Sequence, residues 1–173
     1  MTTARVDRVV VGVTGSLGNL AALHAAVAQA RRSDALLVVV HAWTPPGGET
    51  GYRRAPWRPL LDMCREQAAA TVATALSNAF GGPPSDVTMT SVLARGNAAR
   101  VLVRLASEPG DLLVVGTGRR GRLARLRHGA VTRYCLAKAT CPVLAIPQPD
   151  LLSALSSRPR LHRAHTTEDQ LWP

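Results

Sequence analysis

Five arginines crowd into nine residues, Arg119, Arg120, Arg122, Arg125 and Arg127, within a glycine-containing stretch from Gly116 to Gly129. A guanidinium offers phosphate or carboxylate two parallel N–H donors, and several together raise the local potential enough to attract anions. Neighbouring glycines let backbone N–H groups approach an oxyanion, because no Cβ intervenes and φ can turn positive. A second set, Gly12, Gly15 and Gly18, comes after an apolar run and leads into an alanine-rich one. A strand-to-helix turn there would present helix-start amides to an anion. Both sets point toward phosphate chemistry. A solvated basic loop is the plainer alternative for the arginines.

Little else in the chain could carry a reaction. His24, His41, His128, His162 and His165 stand apart from carboxylates and cysteines at metal-ligand spacing, so no metal site is expected. His128 adjoins Gly129, where it could meet a phosphate. Cys64, Cys135 and Cys141 are odd in number and lack CxxC spacing, which fits small buried hydrophobes better than a disulfide framework. Ser16 has no histidine and acid in a recognisable pattern, and no catalytic residue is expected. Tyr134 lies four residues before Lys138, the sole lysine, and with the Gly12–Gly18 loop this is similar to short-chain dehydrogenases. Such an enzyme needs an acid at the end of the second strand for the ribose, or an arginine for a 2′-phosphate. The sequence has His41, Ala42 and Trp43 there, so a nicotinamide enzyme is the lesser alternative. An ATP pyrophosphatase loop is set aside because Thr14 to Asn19 holds no acidic residue.

The elements that would position these loops alternate in type. Apolar runs at Arg5–Val13, Ala35–Ala42, Val87–Leu93, Leu112–Val115 and Val143–Ile146 read as strands. Helical spacing covers Leu17–Arg32, Leu60–Ala79, Ala98–Ser107 with Asn97 as N-cap, and Gly129–Ala139. Residues Thr44–Pro59, with PPGG and two further prolines, read as a loop. Strands apolar on both faces and alternating with helices predict an α/β fold, a doubly wound five-stranded parallel sheet with helices on both faces. Ligands on such sheets bind at the carboxyl ends of the strands near the switch point, the edge both glycine loops occupy. With 173 residues and 46% hydrophobic content the chain makes one domain, residues 1–147, and then a polar, loosely ordered extension, 148–173.

Charge narrows the partners. The formal net charge is +10, yet residues 112–149 carry seven basic and no acidic groups, whereas residues 150–173 balance at three of each. Aromatics are 3% of the chain and none interleaves with the arginines at 119–127, which argues against nucleic acid. The longest strongly apolar run, Ala35–Val40, is far too short to span a bilayer, and the start MTTARVDR lacks a signal-peptide core. The expectation is a cytoplasmic protein without membrane contact.

The segment VVGTGRRGRLARLRHGAVTRYCLAKATCPVLAIP, Val114–Pro147, resembles the closing motif of the universal stress protein family, and VVVGVTGSLGNLAAL, Val9–Leu23, resembles its opening. The resemblance covers about residues 5–147. It implies strand order 3-2-1-4-5, a homodimer acting in the stress response with a protein partner the sequence does not name, and in many members an ATP bound without catalytic apparatus, Mg2+ entering only with ATP. The family's nucleotide pattern is glycine, two residues, glycine, nine residues, glycine, then Ser or Thr. Gly116 and Gly129 match. Arg119 stands at the second glycine and Ala130 at the hydroxyl, and Val131 and Thr132 fit the two positions after the hydroxyl. Thr14 stands where an acid is common, and Ala42 falls near the adenine-side backbone position. The implied nucleotide-binding set is Val13, Thr14, Ala42, Val115, Gly116, Gly118, Arg119, Arg120, Gly129, Ala130, Val131 and Thr132. Amides at a helix start beside Gly129 would remain as anion donors, and Gly118 with Gly121 offers a shifted glycine pair. Loss of the nucleotide, leaving a protein that acts by protein contacts alone, is the main alternative.

Overall fold

The computed structural model of the protein describes residues 5–14, 19–117 and 124–147, with side chains from Gly129 onward in the last segment. Ten elements run in order along the chain: β1 (Arg8–Gly12), α1 (Leu20–Ser33), β2 (Leu36–Trp43), α2 (Gly48–Arg54), α3 (Arg58–Phe80), β3 (Met89–Arg95), α4 (Ala98–Leu105), β4 (Asp111–Gly116), α5 (Ala124–Lys138) and β5 (Val143–Ile146). The strands form one sheet in the order β3-β2-β1-β4-β5, every pairing parallel. The fold class is as the sequence predicts, the strand order is the one the family resemblance implies, and β5 has the expected bounds.

The central strand shows why the chain folds this way. Val9, Val10 and Val11 of β1 are fully buried, because β1 is flanked by strands on both sides and by helices on both faces. Burying each such side chain contributes roughly 1.5–3 kcal/mol. Alternation sends Val9, Val11 and Val13 into a cluster with Leu23 and Val27 of α1 and Val72 and Leu76 of α3. It sends Val10 into a second cluster with Val101 and Leu102 of α4, Leu113 of β4 and Cys135 of α5. The right-handed crossovers therefore place α1 and α3 on one face and α4 and α5 on the other.

Local signals set several boundaries. The Asn97 side chain accepts a hydrogen bond from the Arg100 N–H at 3.2 Å, the expected cap of α4. Gly81 ends α3 in the left-handed region at φ 77°, its N–H donating to the Ser77 carbonyl at 2.8 Å. Two expectations need correction. Thr44–Pro59 contains a helix, α2, because Arg95 at the end of β3 donates to both carboxylate oxygens of Glu49 (2.8 and 2.7 Å) and its guanidinium lies 4.6 Å from the Tyr52 ring centroid. These partners are more than forty residues from Arg95, beyond any local window. Second, α5 begins at Ala124, so Gly129 lies in its interior and does not open it. Ala124, Arg125, Leu126 and Arg127 are strong helix formers, and one glycine is tolerated within such a run. The unbonded N–H groups of a helix are its first four, which moves that donor set upstream of Gly129.

At the amino edge of the sheet, opposite the expected site, one ion pair joins the two central strands. Arg8 Nε and Nη2 donate to the Asp111 carboxylate at 2.8 and 2.9 Å, and the Glu108 N–H adds a third bond at 2.9 Å. Burial pushes the Asp111 carboxyl up, but the Arg8 hydrogen bonds and backbone N–H donors outweigh that and hold it below the usual carboxylate value of 3.8. The charged form is thus favoured in the folded state. Asp111→Ala is expected to cost about 2–3 kcal/mol in urea unfolding at neutral pH, less than for a fully buried pair because Arg8 can rehydrate. A carboxyl lowered on folding stabilises above its unfolded pKa and loses that contribution as pH falls through the folded value. The gap between wild type and variant should therefore narrow below pH 3.8 and stay constant between pH 5 and 8.

Candidate functional site

β1 and β4 are neighbours, yet β1 continues to β2 on one side of the sheet and β4 to β5 on the other. Their chains part at the carboxyl edge, and such a parting leaves a crevice where ligands of doubly wound sheets sit. Val13 and Thr14 leave β1 there, and Gly116 and Thr117 leave β4.

Hydrogen bonds fix the described strand ends at this edge. The Val13 N–H donates to the Val40 carbonyl at 2.8 Å, the last bond of the β1–β2 ladder. Beyond it the Val13 carbonyl accepts from the His41 ring at 2.9 Å, which requires the proton on Nδ1. Asn19, just before α1, donates through Nδ2 to the Gly12 carbonyl at 2.6 Å. On the other side Thr132 is 6% exposed and its hydroxyl donates to the Gly116 carbonyl at 2.9 Å, tying α5 to the end of β4. The Thr117 N–H donates to the Ile146 carbonyl at 2.9 Å. A Cβ on Gly12 would stand 2.9 Å from Leu102 Cδ1 of α4, so a side chain there would have to push that methyl aside.

The expected site residues fall into three groups. Val13 and Val115 bury their side chains in the two cores, and the half-buried Ala42 and Val131 pack against the second. Thr132 occupies its hydroxyl on Gly116. Thr14 and Ala130 are exposed, and Gly116 and Gly129 are half-buried. Among the described residues, a Cβ built on Gly129 would meet no atom within 4 Å. Gly118, Arg119, Arg120, Gly121 and Arg122 lie outside the described residues, as do Gly15, Ser16, Gly18, residues 148–173 and the side chains of Arg125, Arg127 and His128. Thr14 also borders a cavity of about 200 Å³ between α1 and α3, with Asn19, Leu20, Gln67, Thr74 and Asn78 in its wall. Among the described residues that wall offers hydroxyl and amide donors but no cation, and it reaches neither Gly116 nor Gly129.

Two residues at this edge escaped the sequence reading. His41 replaces a ladder bond with its ring, and the only signal was a polar residue near the end of an apolar strand. Trp43, two residues on, buries its indole N–H without an acceptor among the described residues. Tyr134 and Lys138, the dehydrogenase-like pair, are both exposed on α5. Cys135 is fully buried in the second core, and burial pushes its thiol up to about 11. Burial likewise raises Cys141. Thiols so far from ionisation are poor nucleophiles, which supports a packing role. No group of three or more histidine, cysteine or acidic side chains could hold a metal among the described residues.

Replacing Thr132 by Val keeps the shape and leaves the Gly116 carbonyl without its hydroxyl donor. This variant should lose about 1–2 kcal/mol of stability in denaturant titration, whereas Thr132→Ser should retain most of it.

Comparison with known proteins places this edge in context. The model of the universal stress protein family matches residues 5–147. The chain is 32% identical over 125 residues to a Thermus aquaticus universal stress protein encoded in the 3′ region of a QAH/OAS sulfhydrylase, covering 70% of this chain and 84% of that one. Among solved structures, the universal stress protein UspA from Lactobacillus plantarum superposes with a TM-score of 0.65 at 23% identity, over 83% of this chain and 99% of that one. A universal stress protein solved in complex with cAMP matches with a TM-score of 0.53 at 27% identity, over 83% of this chain and 98% of that one.

Proposed function

Since the chain belongs to the universal stress protein family, we propose that it is a regulatory protein that binds an adenine nucleotide in the crevice between β1 and β4 and acts as a cytoplasmic homodimer. The observation that carries this reading is Gly129. Glycine inside a helix costs about 1 kcal/mol relative to alanine. Its position is helical, and among the described residues nothing within 4 Å forbids a side chain. The described residues therefore impose no steric need for glycine there, whereas a ligand lying against the helix would. The 27% identical protein solved with cAMP supports an adenine nucleotide as that ligand.

In this reading Val13, Thr14 and Ala42 form the base side, largely through backbone groups. Val115, Gly116, Gly118, Arg119, Arg120, Gly129, Ala130, Val131 and Thr132 form the phosphate side. Ala130 supplies no hydroxyl and Arg119 no glycine amide approach, so Arg119 and Arg120 take over as bidentate phosphate donors. Binding involves no bond breaking, and no nucleophile or general base is assigned. Mg2+ accompanies the ligand only if it is ATP, held by the phosphates and water.

Calorimetric titration with ATP, ADP, AMP and cAMP tests this. A saturable heat and a matching rise in melting temperature are expected for at least one of them. Gly129→Leu should raise the stability of the ligand-free protein by about 0.5–1 kcal/mol and weaken binding at least tenfold. Absence of heat and of thermal shift at millimolar ligand would reject the nucleotide role. The substitutions at Thr14, Arg119 and Ala130 favour a second reading, a member acting by protein contacts alone, in which the dimer forms without ligand and Arg119 and Arg120 can be replaced without effect on stability in ATP.

A further inference from the structure

The segment joining α2 to α3 is the longest unbroken exposed run among the described residues. Arg53 to Pro59, RRAPWRP, is exposed at every position. It holds three guanidiniums and one indole, and no carboxylate. Trp57 is 56% exposed, and Met63, within two turns along α3, is 58% exposed. The tip is braced. Pro56 and Pro59 fix φ on either side of Trp57, which is itself extended at φ −138° and ψ 106°. Behind it, α2 is fastened to the sheet by the Glu49–Arg95 pair and the Tyr52–Arg95 stack. Glu49 bears on Arg53, but both its oxygens are taken by Arg95. Among the described residues no ion pair involves Arg53, Arg54 or Arg58. Farther along α3, Asp62 and Glu66 are partly offset by Arg65.

We infer that this tip docks onto an anionic phospholipid surface, a membrane contact at variance with the expectation from the sequence, which rested on the lack of a spanning or signal segment. An indole suits the headgroup boundary, with its ring in the apolar zone and its N–H in the wet one. Arginine stems can lie along the same boundary while their heads meet lipid phosphates. Guanidiniums are attracted to a negative leaflet at about 1 kcal/mol each, near fivefold in binding. The other occupants fit less well. A second copy of the chain would bring like charges together at this patch, on a protein of net charge +10. Single-stranded nucleic acid needs successive aromatic faces, and the neighbouring ring, Tyr52, is covered by Arg95. No spanning helix is required, and no helix of the described residues is long and apolar enough to be one. The tip lies beyond the carboxyl end of β2, so docking would turn the edge that carries the crevice toward the lipid.

Co-sedimentation of the full chain with vesicles of equal parts phosphatidylglycerol and phosphatidylcholine, against phosphatidylcholine alone, tests this. Binding is expected only with the anionic lipid and should fall with added salt. Replacing Arg53, Arg54 and Arg58 together by Ala should lower the partition coefficient on the order of a hundredfold, while the triple Lys variant should keep it within a few-fold. Trp57→Ala should lower it about tenfold, with melting temperatures unchanged because every site is exposed. The inference is overturned if wild type ignores anionic vesicles or if the triple Ala variant binds them like wild type. It is also overturned if polyuridylate or polyglutamate captures the protein more tightly than vesicles do and that capture is the one lost in the triple variant.

Discussion

The structure depends on one constraint: β1 must lie at the centre of the sheet while its chain leaves in the direction opposite to that of its neighbour β4. Three consecutive valines with no exposure make any other place for β1 costly, because an edge position would return apolar surface to water. Once β1 is central, right-handed crossovers assign helices to both faces, and the β1 and β4 chains must separate at the carboxyl edge. The crevice results from the topology, and side chains only shape it. At the opposite edge the Arg8–Asp111 pair locks the same two strands together, so the sheet is fastened at one end and parted at the other.

Much of this was legible in the residues. Valine-rich runs flanked by alanine-rich helical spacing are sufficient for a doubly wound sheet, and Asn97 and Gly81 mark helix ends by chemistry that acts within a few residues. Features that depend on distant partners were not legible. The helix α2 is held by Arg95 from another strand, and a stretch rich in proline and glycine gives no hint of it. Asp111 looks like a loop residue before an apolar strand until Arg8 is placed beside it. Gly129 invites the reading of a helix start, but the helix-forming residues before it extend the helix upstream.

The candidate site shows the same division. Motif positions such as Gly116, Gly129 and Thr132 were found by resemblance, and the fold gathers the ends of β1 and β4 and the flank of α5 at one edge. What each side chain does there needed coordinates. Thr132 serves the Gly116 carbonyl, Val13 and Val115 serve the core, and His41 and Trp43 bring a ladder replacement and a buried N–H without an acceptor among the described residues, neither contained in any motif. The cavity beside Thr14 illustrates why concavity alone is a weak guide: its described wall carries no cation to meet the charge of a phosphate. The glycine that the helix does not need is the stronger sign.

The most direct measurement is a two-dimensional amide NMR titration of the labelled protein with AMP, which reports where a ligand sits and whether one binds. Saturable shifts at the amides of Val13, Thr14, Gly116, Thr117, Gly129 and Ala130, with those of Trp57 and Arg58 unmoved, are the predicted result. Shifts confined to the α1–α3 cavity around Gln67 and Asn78, or no saturable shift at any amide of the β1 and β4 ends, would contradict a nucleotide crevice at the parting of the two strands.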